Sequence, residues 1–130
     1  MPPAVLKLLI IGLGGFIGAI ARFGITDFLR RYTHGPFPLG TLLVNVVGCL
    51  VIGVLLGSVD SRQALSPSMR SFLVVGLLGS FTTFSTFGYE TYELLRAGQS
   101  ASAMSNIGIN VVLGLICVVL GRATAVYITT

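Results

Sequence analysis

Four long apolar runs, separated by short polar segments, make up most of the chain. The runs cover approximately residues 5–25, 41–59, 71–95 and 102–126. Each is close to the roughly 20 residues that an α-helix needs to cross about 30 Å of hydrocarbon. The pattern therefore predicts an all-α membrane protein, with four transmembrane helices in a single domain over 1–130.

The third run is composed unlike a helix that faces lipid. Gly79 is a poor helix former, and Thr82, Thr83 and Thr86 are β-branched and carry hydroxyls that compete for backbone hydrogen bonds. Interrupted backbone at membrane depth is tolerated only where it is buried in protein or lines a wet cavity. The sequence predicts a break in the third helix. Carbonyls freed near Gly79 and Thr82 would hold a monovalent cation if two inverted copies met there.

The composition agrees with a protein of the lipid bilayer. Hydrophobic residues make up 54% of the chain and charged residues only 9%, far below the roughly 25% that is usual in soluble domains. The formal net charge is +4, but the basic residues lie near the ends of the apolar runs, where membrane proteins carry their interface anchors. We therefore expect a multi-pass protein of the cell membrane and no nucleic-acid partner.

The basic residues give no preferred orientation in the membrane. An even number of spans places both termini on one side, and the basic residues then divide four to four. The terminal side would hold Lys7, Arg62, Arg70 and Arg122, and the opposite side Arg22, Arg30, Arg31 and Arg96. The positive-inside rule acts through an excess of Lys and Arg on one side. A chain without that excess can insert both ways and pair with its inverted copy, so the count predicts an antiparallel, dual-topology homodimer.

All three asparagines of the chain, Asn45, Asn106 and Asn110, lie inside the apolar runs. A buried amide needs a hydrogen-bond partner or water, and bonds between helices would be a purely structural use of it. Three asparagines beside a hydroxyl-rich break instead favour a polar path through the protein. Amide N–H groups can donate to an anion, and the ring edges of Phe84 and Phe87 carry the positive end of the aromatic quadrupole. Ordinary packing of the two rings is the alternative.

Three motifs resemble the Fluc (CrcB) family of fluoride channels. They are GGFIGAIAR over 14–22, FPLGTLLVNVVG over 37–48, and GSFTTFSTF over 79–87 followed by Glu90. Their order and spacing agree with the family over essentially the whole chain. The resemblance implies a fluoride-selective channel, not an enzyme, that mediates passive fluoride efflux across the bacterial inner membrane and lowers cytoplasmic fluoride.

The resemblance also implies an assembly and a set of site residues. The assembly is an antiparallel homodimer with two anion pores and a central structural sodium ion, held by the backbone carbonyls of Gly79 and Thr82. By position, the fluoride pathway would include Arg22, Thr41, Asn45, Phe84, Phe87 and Glu90. In span four the family often has Tyr and Ser, whereas this chain has Asn106 and Asn110. These amides preserve hydrogen-bond donors, so both residues are included in the expected pathway.

Two other classes of protein are compatible with four short spans. A small dual-topology multidrug or cation transporter would need a carboxylate within the membrane for proton coupling. The middles of spans one, two and four contain none, and Glu90 and Glu93 come late in span three. A structural subunit would use the glycines and asparagines only to pack helices.

Overall fold

The computed structural model describes residues 3–60 and 65–129, and every regular element within them is helical. In chain order the elements are α1 (Pro3–Tyr32), α2 (Leu39–Asp60), α3 (Pro67–Arg70), the π-helix π1 (Ser71–Leu78), α4 (Gly79–Phe81), α5 (Phe84–Arg96) and α6 (Ser100–Thr129). Arg62, one of the basic residues in the charge count, lies outside the described residues.

Within the described residues, four helical runs are long and apolar enough to cross a membrane, which confirms the all-α fold with four spans. α1, α2 and α6 each form one span, while α3, π1, α4 and α5 together form the third, Pro67–Arg96. The helices continue past the sequence-based spans at both ends. In α1 the last turns are supported by Asp27, which pairs with Arg31 and Arg30 at 2.7 and 3.2 Å, the separations at which helical side chains meet.

Glycines on α1 let the third span approach closely. A Cβ atom on Gly18 would overlap the carbonyl oxygen of Leu77 in π1, and Gly14 and Gly76 are packed as tightly. Small residues permit such approach between membrane helices, whose association depends on packing rather than on the hydrophobic effect. The glycine face of α1 thus seats the π-helix of the third span.

α2 and α6 form the other close pair of helices. Gly53 and Gly57 of α2 face the backbone of α6, and Gly121 of α6 faces the backbone of α2, each with no room for a Cβ atom. This contact sets the register between the two helices. One result is that Asn45 of α2 lies beside Asn110 of α6, with a hydrogen bond of 3.1 Å between their side chains.

The third span is interrupted at Thr82 and Thr83, in the threonine-rich stretch where a break was predicted. Both residues have extended backbone, with φ/ψ of −85°/157° and −150°/119°. Thr83 then caps α5, because its side-chain oxygen accepts a hydrogen bond from the backbone N–H of Thr86 at 3.2 Å. Gly79 keeps helical angles of −60° and −30°, so the break lies three residues beyond it.

Candidate functional site

Asn45 holds the chain at the break of the third span. Its Oδ1 accepts a hydrogen bond from the backbone N–H of Thr83 at 2.9 Å, and its Nδ2 donates to the carbonyl of the same residue at 3.3 Å. In a continuous helix the Thr83 N–H would instead donate to the carbonyl of Gly79. The asparagine therefore replaces a helical hydrogen bond and leaves the Gly79 carbonyl without that donor.

A chain of side-chain hydrogen bonds runs from Asn45 into the protein. Asn45 Nδ2 donates to Asn110 Oδ1 at 3.1 Å, and Asn110 Nδ2 donates to the carbonyl and the Oδ1 of Asn106 at 3.0 and 2.9 Å. Asn106 Nδ2 donates to Thr91 Oγ1 at 2.9 Å, and Thr91 donates to the carbonyl of Phe87 at 2.7 Å. We call Asn45, Asn110, Asn106 and Thr91 the amide chain. The amide protons of Asn45 and Asn110 are thus donated within the protein.

An open groove of about 400 Å³ lies beside the break, between α2, α6 and the third span. Its lining includes Asn45, Gly79, Thr82, Thr83, Phe84, Phe87 and Asn110. The ring centroids of Phe84 and Phe87 are 5.5 Å apart, and the rings are tilted by 48°. Phe84 is 83% exposed although it lies in the middle of a membrane span. In the single chain this ring is therefore not part of a packed core.

A wider cavity of about 800 Å³ opens between the end of α1, the start of α2 and α5, and we call it the vestibule. Arg22, Thr41 and Glu90 line it. Thr41 Oγ1 donates to Glu90 Oε1 at 2.9 Å, and Arg22 Nε donates to the carbonyl of Ser80 at 3.0 Å. The other carboxylate oxygen of Glu90 is buried and has no hydrogen-bond partner among the described residues. Side chains of both charges thus face the vestibule, and Arg22 links its wall to α4.

The groove and the vestibule meet at Thr83, which lines both. The residues expected on the pathway divide between the two spaces. Asn45, Asn110, Phe84 and Phe87 line the groove together with Gly79 and Thr82, whereas Arg22, Thr41 and Glu90 line the vestibule. Asn106 lines neither space, because it is fully buried behind Asn110. Contact of any of these residues with an ion stays a prediction.

Thr91 was not among the residues predicted from the sequence, although it ends the amide chain. A signal for it was present. Thr91 follows Phe87 by four residues in α5, and a threonine hydroxyl at that spacing can donate to the carbonyl one turn earlier. What the spacing does not contain is the second contact, from Asn106 of α6, since that depends on how the two helices meet.

Comparison with known proteins gives a family match and several similar proteins. The family described as CrcB-like protein, Camphor Resistance (CrcB), matches residues 9–122. Several proteins named fluoride-specific ion channel FluC are similar to the chain, among them three from different bacteria. The one from Hydrogenovibrio crunogenus is 45% identical over 117 residues, which is 90% of this chain and 89% of that protein. Those from Nitratidesulfovibrio vulgaris and Chloroflexus aurantiacus are 41% and 46% identical, over 91% and 88% of this chain and 95% and 91% of those proteins. With four apolar spans and a family match over most of its length, this multi-pass membrane protein belongs to the CrcB family.

Proposed function

We propose that the chain forms a fluoride-selective channel in the bacterial plasma membrane. The observation that carries the proposal is the similarity to proteins named fluoride-specific ion channel, at 45% identity over nine-tenths of both chains in one case. At that similarity the helices and the break that shape a pathway are expected to be shared. The protein is then an ion channel and not an enzyme.

Passive efflux is the physiological role that suits such a channel. Hydrogen fluoride crosses membranes as a neutral molecule, ionises in the less acidic cytoplasm and is trapped there as fluoride. The membrane potential, negative inside, drives an anion outward at about 2.3 kcal/mol per elementary charge for each 100 mV. A fluoride-selective pore therefore lowers cytoplasmic fluoride without any coupled reaction.

The pathway that we propose runs from the vestibule, past Thr83, into the groove. Arg22 would attract the anion into the vestibule, where Thr41 and Glu90 also lie. In the groove, the ring edges of Phe84 and Phe87 would face the ion, because the edge of an aromatic ring carries its positive partial charge. Such weak attraction suits conduction, which requires that the ion bind and also leave.

The amides take part in this pathway only if they exchange hydrogen bonds. Asn45 already donates to Asn110 and to Thr83, and Asn110 donates twice to Asn106. For Asn45 or Asn110 to donate to fluoride, one of these bonds must open. We therefore assign the two side chains to the wall of the pathway and the ring edges to the first contact with the ion. Asn106 is held behind that wall.

An inverted second copy of the chain would close the groove. The groove is open in the single chain, and both Phe84 and Gly79 are exposed beside it. A chain of 130 residues encloses little pathway by itself. The even distribution of basic residues between the two sides permits both orientations. These observations support an antiparallel, dual-topology homodimer.

We expect a reporter fused to the C-terminus to be found on both sides of the membrane. The reason is the charge count of four to four, because neither side has the excess of Lys and Arg that normally fixes the orientation. A phosphatase active only outside and a fluorescent protein active only inside measure the two populations. Two lysines added to the loops of one side should bias the chain to one orientation and lower activity, and an oppositely biased partner should restore it. A single orientation of the unmodified chain would contradict dual topology.

A structural sodium ion between the two copies is the further part of the proposal. Its ligands would be the backbone carbonyls of Gly79 and Thr82, two residues that line the groove which a second copy would cover. The fit is chemically reasonable, because the Thr83 N–H bonds to Asn45 and leaves the Gly79 carbonyl free of that bond. A carbonyl at an unwound stretch of membrane helix is a common ligand for sodium. Bound there, the ion would neutralise converging carbonyl dipoles.

Removal of sodium is expected to weaken the assembled protein. An ion that binds only the dimer stabilises it by mass action, by about 2.7 kcal/mol at a concentration one hundred times its dissociation constant. Dimer dissociation and fluoride flux should therefore be measured after full exchange of sodium for N-methylglucamine, with potassium as the control for a monovalent ion of larger size. Equal dimer stability and flux in all three salts would argue against the site.

Ion flux into and out of liposomes tests the function itself. Liposomes that contain the purified protein should release fluoride and retain both chloride and a cationic dye. Protein-free liposomes are the control. Transport of the dye without fluoride would instead indicate a small multidrug transporter, an alternative that the relatives do not support. No transport of any of the three solutes would leave the structural subunit as the remaining explanation and contradict the proposed channel.

A further inference from the structure

The hydrogen bonds of the amide chain all run in one direction, and contacts with the backbone at two points fix that direction. The Thr83 N–H can only donate, so the atom of Asn45 that it contacts is the carbonyl oxygen. The backbone carbonyl of Asn106 can only accept, so the atom of Asn110 that it contacts is the amide nitrogen. The remaining oxygens and nitrogens follow from these two assignments, and the last donor, Thr91, ends on the carbonyl of Phe87.

The inner half of the amide chain is shielded from water. Asn106 is 0% exposed and Thr91 is 7% exposed, so neither side chain is open to water in the folded chain. Neither residue lines the groove or the vestibule. Side-chain networks in such surroundings are strengthened because their bonds polarise one another in a medium of low dielectric constant. Leaving the Asn106 amide without a partner there would cost free energy. The hydrogen bond from Asn106 to Thr91 therefore holds α6 against α5.

The two ends of the amide chain hold the segment that carries the phenylalanines. α5 follows the break, so the helix before it does not fix its position. Asn45 holds the start of α5 through Thr83, and Asn106 holds it two turns later through Thr91. Phe87 lies between these two anchors, and its own carbonyl is the final acceptor.

We propose that Thr91 and Asn106 are positioning residues that fix the Phe87 ring against Asn45 across the groove. They set how well the channel distinguishes fluoride from a larger anion, and they do not touch the ion. This inference rests on the proposed function. Its physical basis is that a site discriminates only when its groups are held to within about 0.5 Å by supporting contacts. Without the anchor at Thr91, α5 can tilt away from α6 and the groove accepts a wider range of anions.

Thr91→Val tests the proposal in the full-length protein, reconstituted in liposomes. Valine keeps the β-branched shape and removes the hydroxyl, so Asn106 loses its acceptor and Phe87 loses its extra donor. Because the loosened groove admits the larger anion, the chloride flux should rise and the ratio of fluoride to chloride flux should fall about fivefold, the factor that corresponds to roughly 1 kcal/mol for one net hydrogen bond. Thr91→Ser restores the hydroxyl and should restore both quantities.

Thr124→Val is the matched control. Thr124 is an exposed residue of α6 whose hydroxyl donates to the carbonyl of Leu120 at 2.8 Å. The variant therefore replaces a hydroxyl with a methyl group outside the amide chain. Flux and selectivity should be unchanged in this variant.

Several outcomes decide against the inference. Wild-type flux and selectivity in Thr91→Val, at the wild-type elution volume, would overturn it while the channel function stands. Lower flux with an unchanged ratio, not restored by Thr91→Ser, would assign Thr91 a merely structural role. Absence of fluoride flux in the wild-type protein would remove the proposed function and the inference with it. If Thr91→Val does not yield folded protein, Thr91→Cys, with its weaker donor, is measured against the same criteria.

Discussion

Replacement of Phe84 or Phe87 by isoleucine is expected to reduce fluoride efflux by an order of magnitude or more while the protein remains assembled. Isoleucine keeps much of the bulk and all of the apolar character but has no ring, so it removes the positive edge that would face the anion. If the rings only pack, a hydrophobic swap of this kind costs less than about 1.5 kcal/mol and leaves the flux nearly normal. The two explanations therefore differ by at least tenfold in one measurement.

Phe16→Ile is the control for this pair of variants. Phe16 lies on α1, is 65% exposed and lines neither the groove nor the vestibule, so the same change in volume is made outside both spaces. Efflux should be measured from liposomes that contain protein already checked by size exclusion. Normal flux in both Phe84→Ile and Phe87→Ile would remove the rings from the pathway, whatever the similarity to fluoride channels suggests.

The exposure of Phe84 bears on the packing alternative as well. An aromatic side chain that only fills space is expected to be buried by its neighbours, yet Phe84 is 83% exposed in the single chain. In the proposed dimer, a second copy would cover it. Because Phe84 stands beside polar Thr83 and Asn45 at the groove, a second copy explains its position better than lipid does.

The spans and the break were predictable because the signals for both are local. An apolar run of about 20 residues identifies a span regardless of its neighbours. The threonines around the break carry the hydroxyls that compete with helical hydrogen bonds, and Thr83 does cap the following helix. The π-helix was not predictable in the same way. It forms where Gly76 meets the glycine face of α1, a contact between segments that are distant in the sequence.

The partners of the asparagines show where reasoning from sequence stops. The sequence indicates that Asn45 and Asn110 need hydrogen bonds, and it left open whether an ion or the protein supplies them. The register of α2 against α6, set by contacts such as the one at Gly53, decides that each amide meets the other. Asn45→Leu would remove both hydrogen bonds to Thr83. This variant is therefore expected to disturb the break itself.

Gly18→Ala is expected to destabilise the protein by about 1–3 kcal/mol, the usual cost of forcing an added group into a packed interior. A Cβ atom on Gly18 would overlap the carbonyl oxygen of Leu77 and would lie 3.1 Å from the backbone nitrogen of Phe81. Backbone cannot move aside as a flexible side chain can, so α1 and the third span must separate. Because Leu77 and Phe81 precede the break, the shift should also disturb Thr82 and Thr83 and lower fluoride flux.

Gly12→Ala is the matched control, since it makes the same change on α1 at a position with no atom within 4 Å of the added Cβ. There alanine should be neutral or should stabilise the helix by up to about 1 kcal/mol, because glycine loses more conformational freedom on folding. The chain has no tryptophan, so thermal unfolding in detergent is best followed by circular dichroism, with size exclusion after heating as the second measurement. Gly18→Ala should lower the midpoint of thermal unfolding, whereas Gly12→Ala should leave it unchanged or raise it. Equal midpoints for Gly18→Ala and Gly12→Ala would mean that the glycine face of α1 does not seat the third span as described.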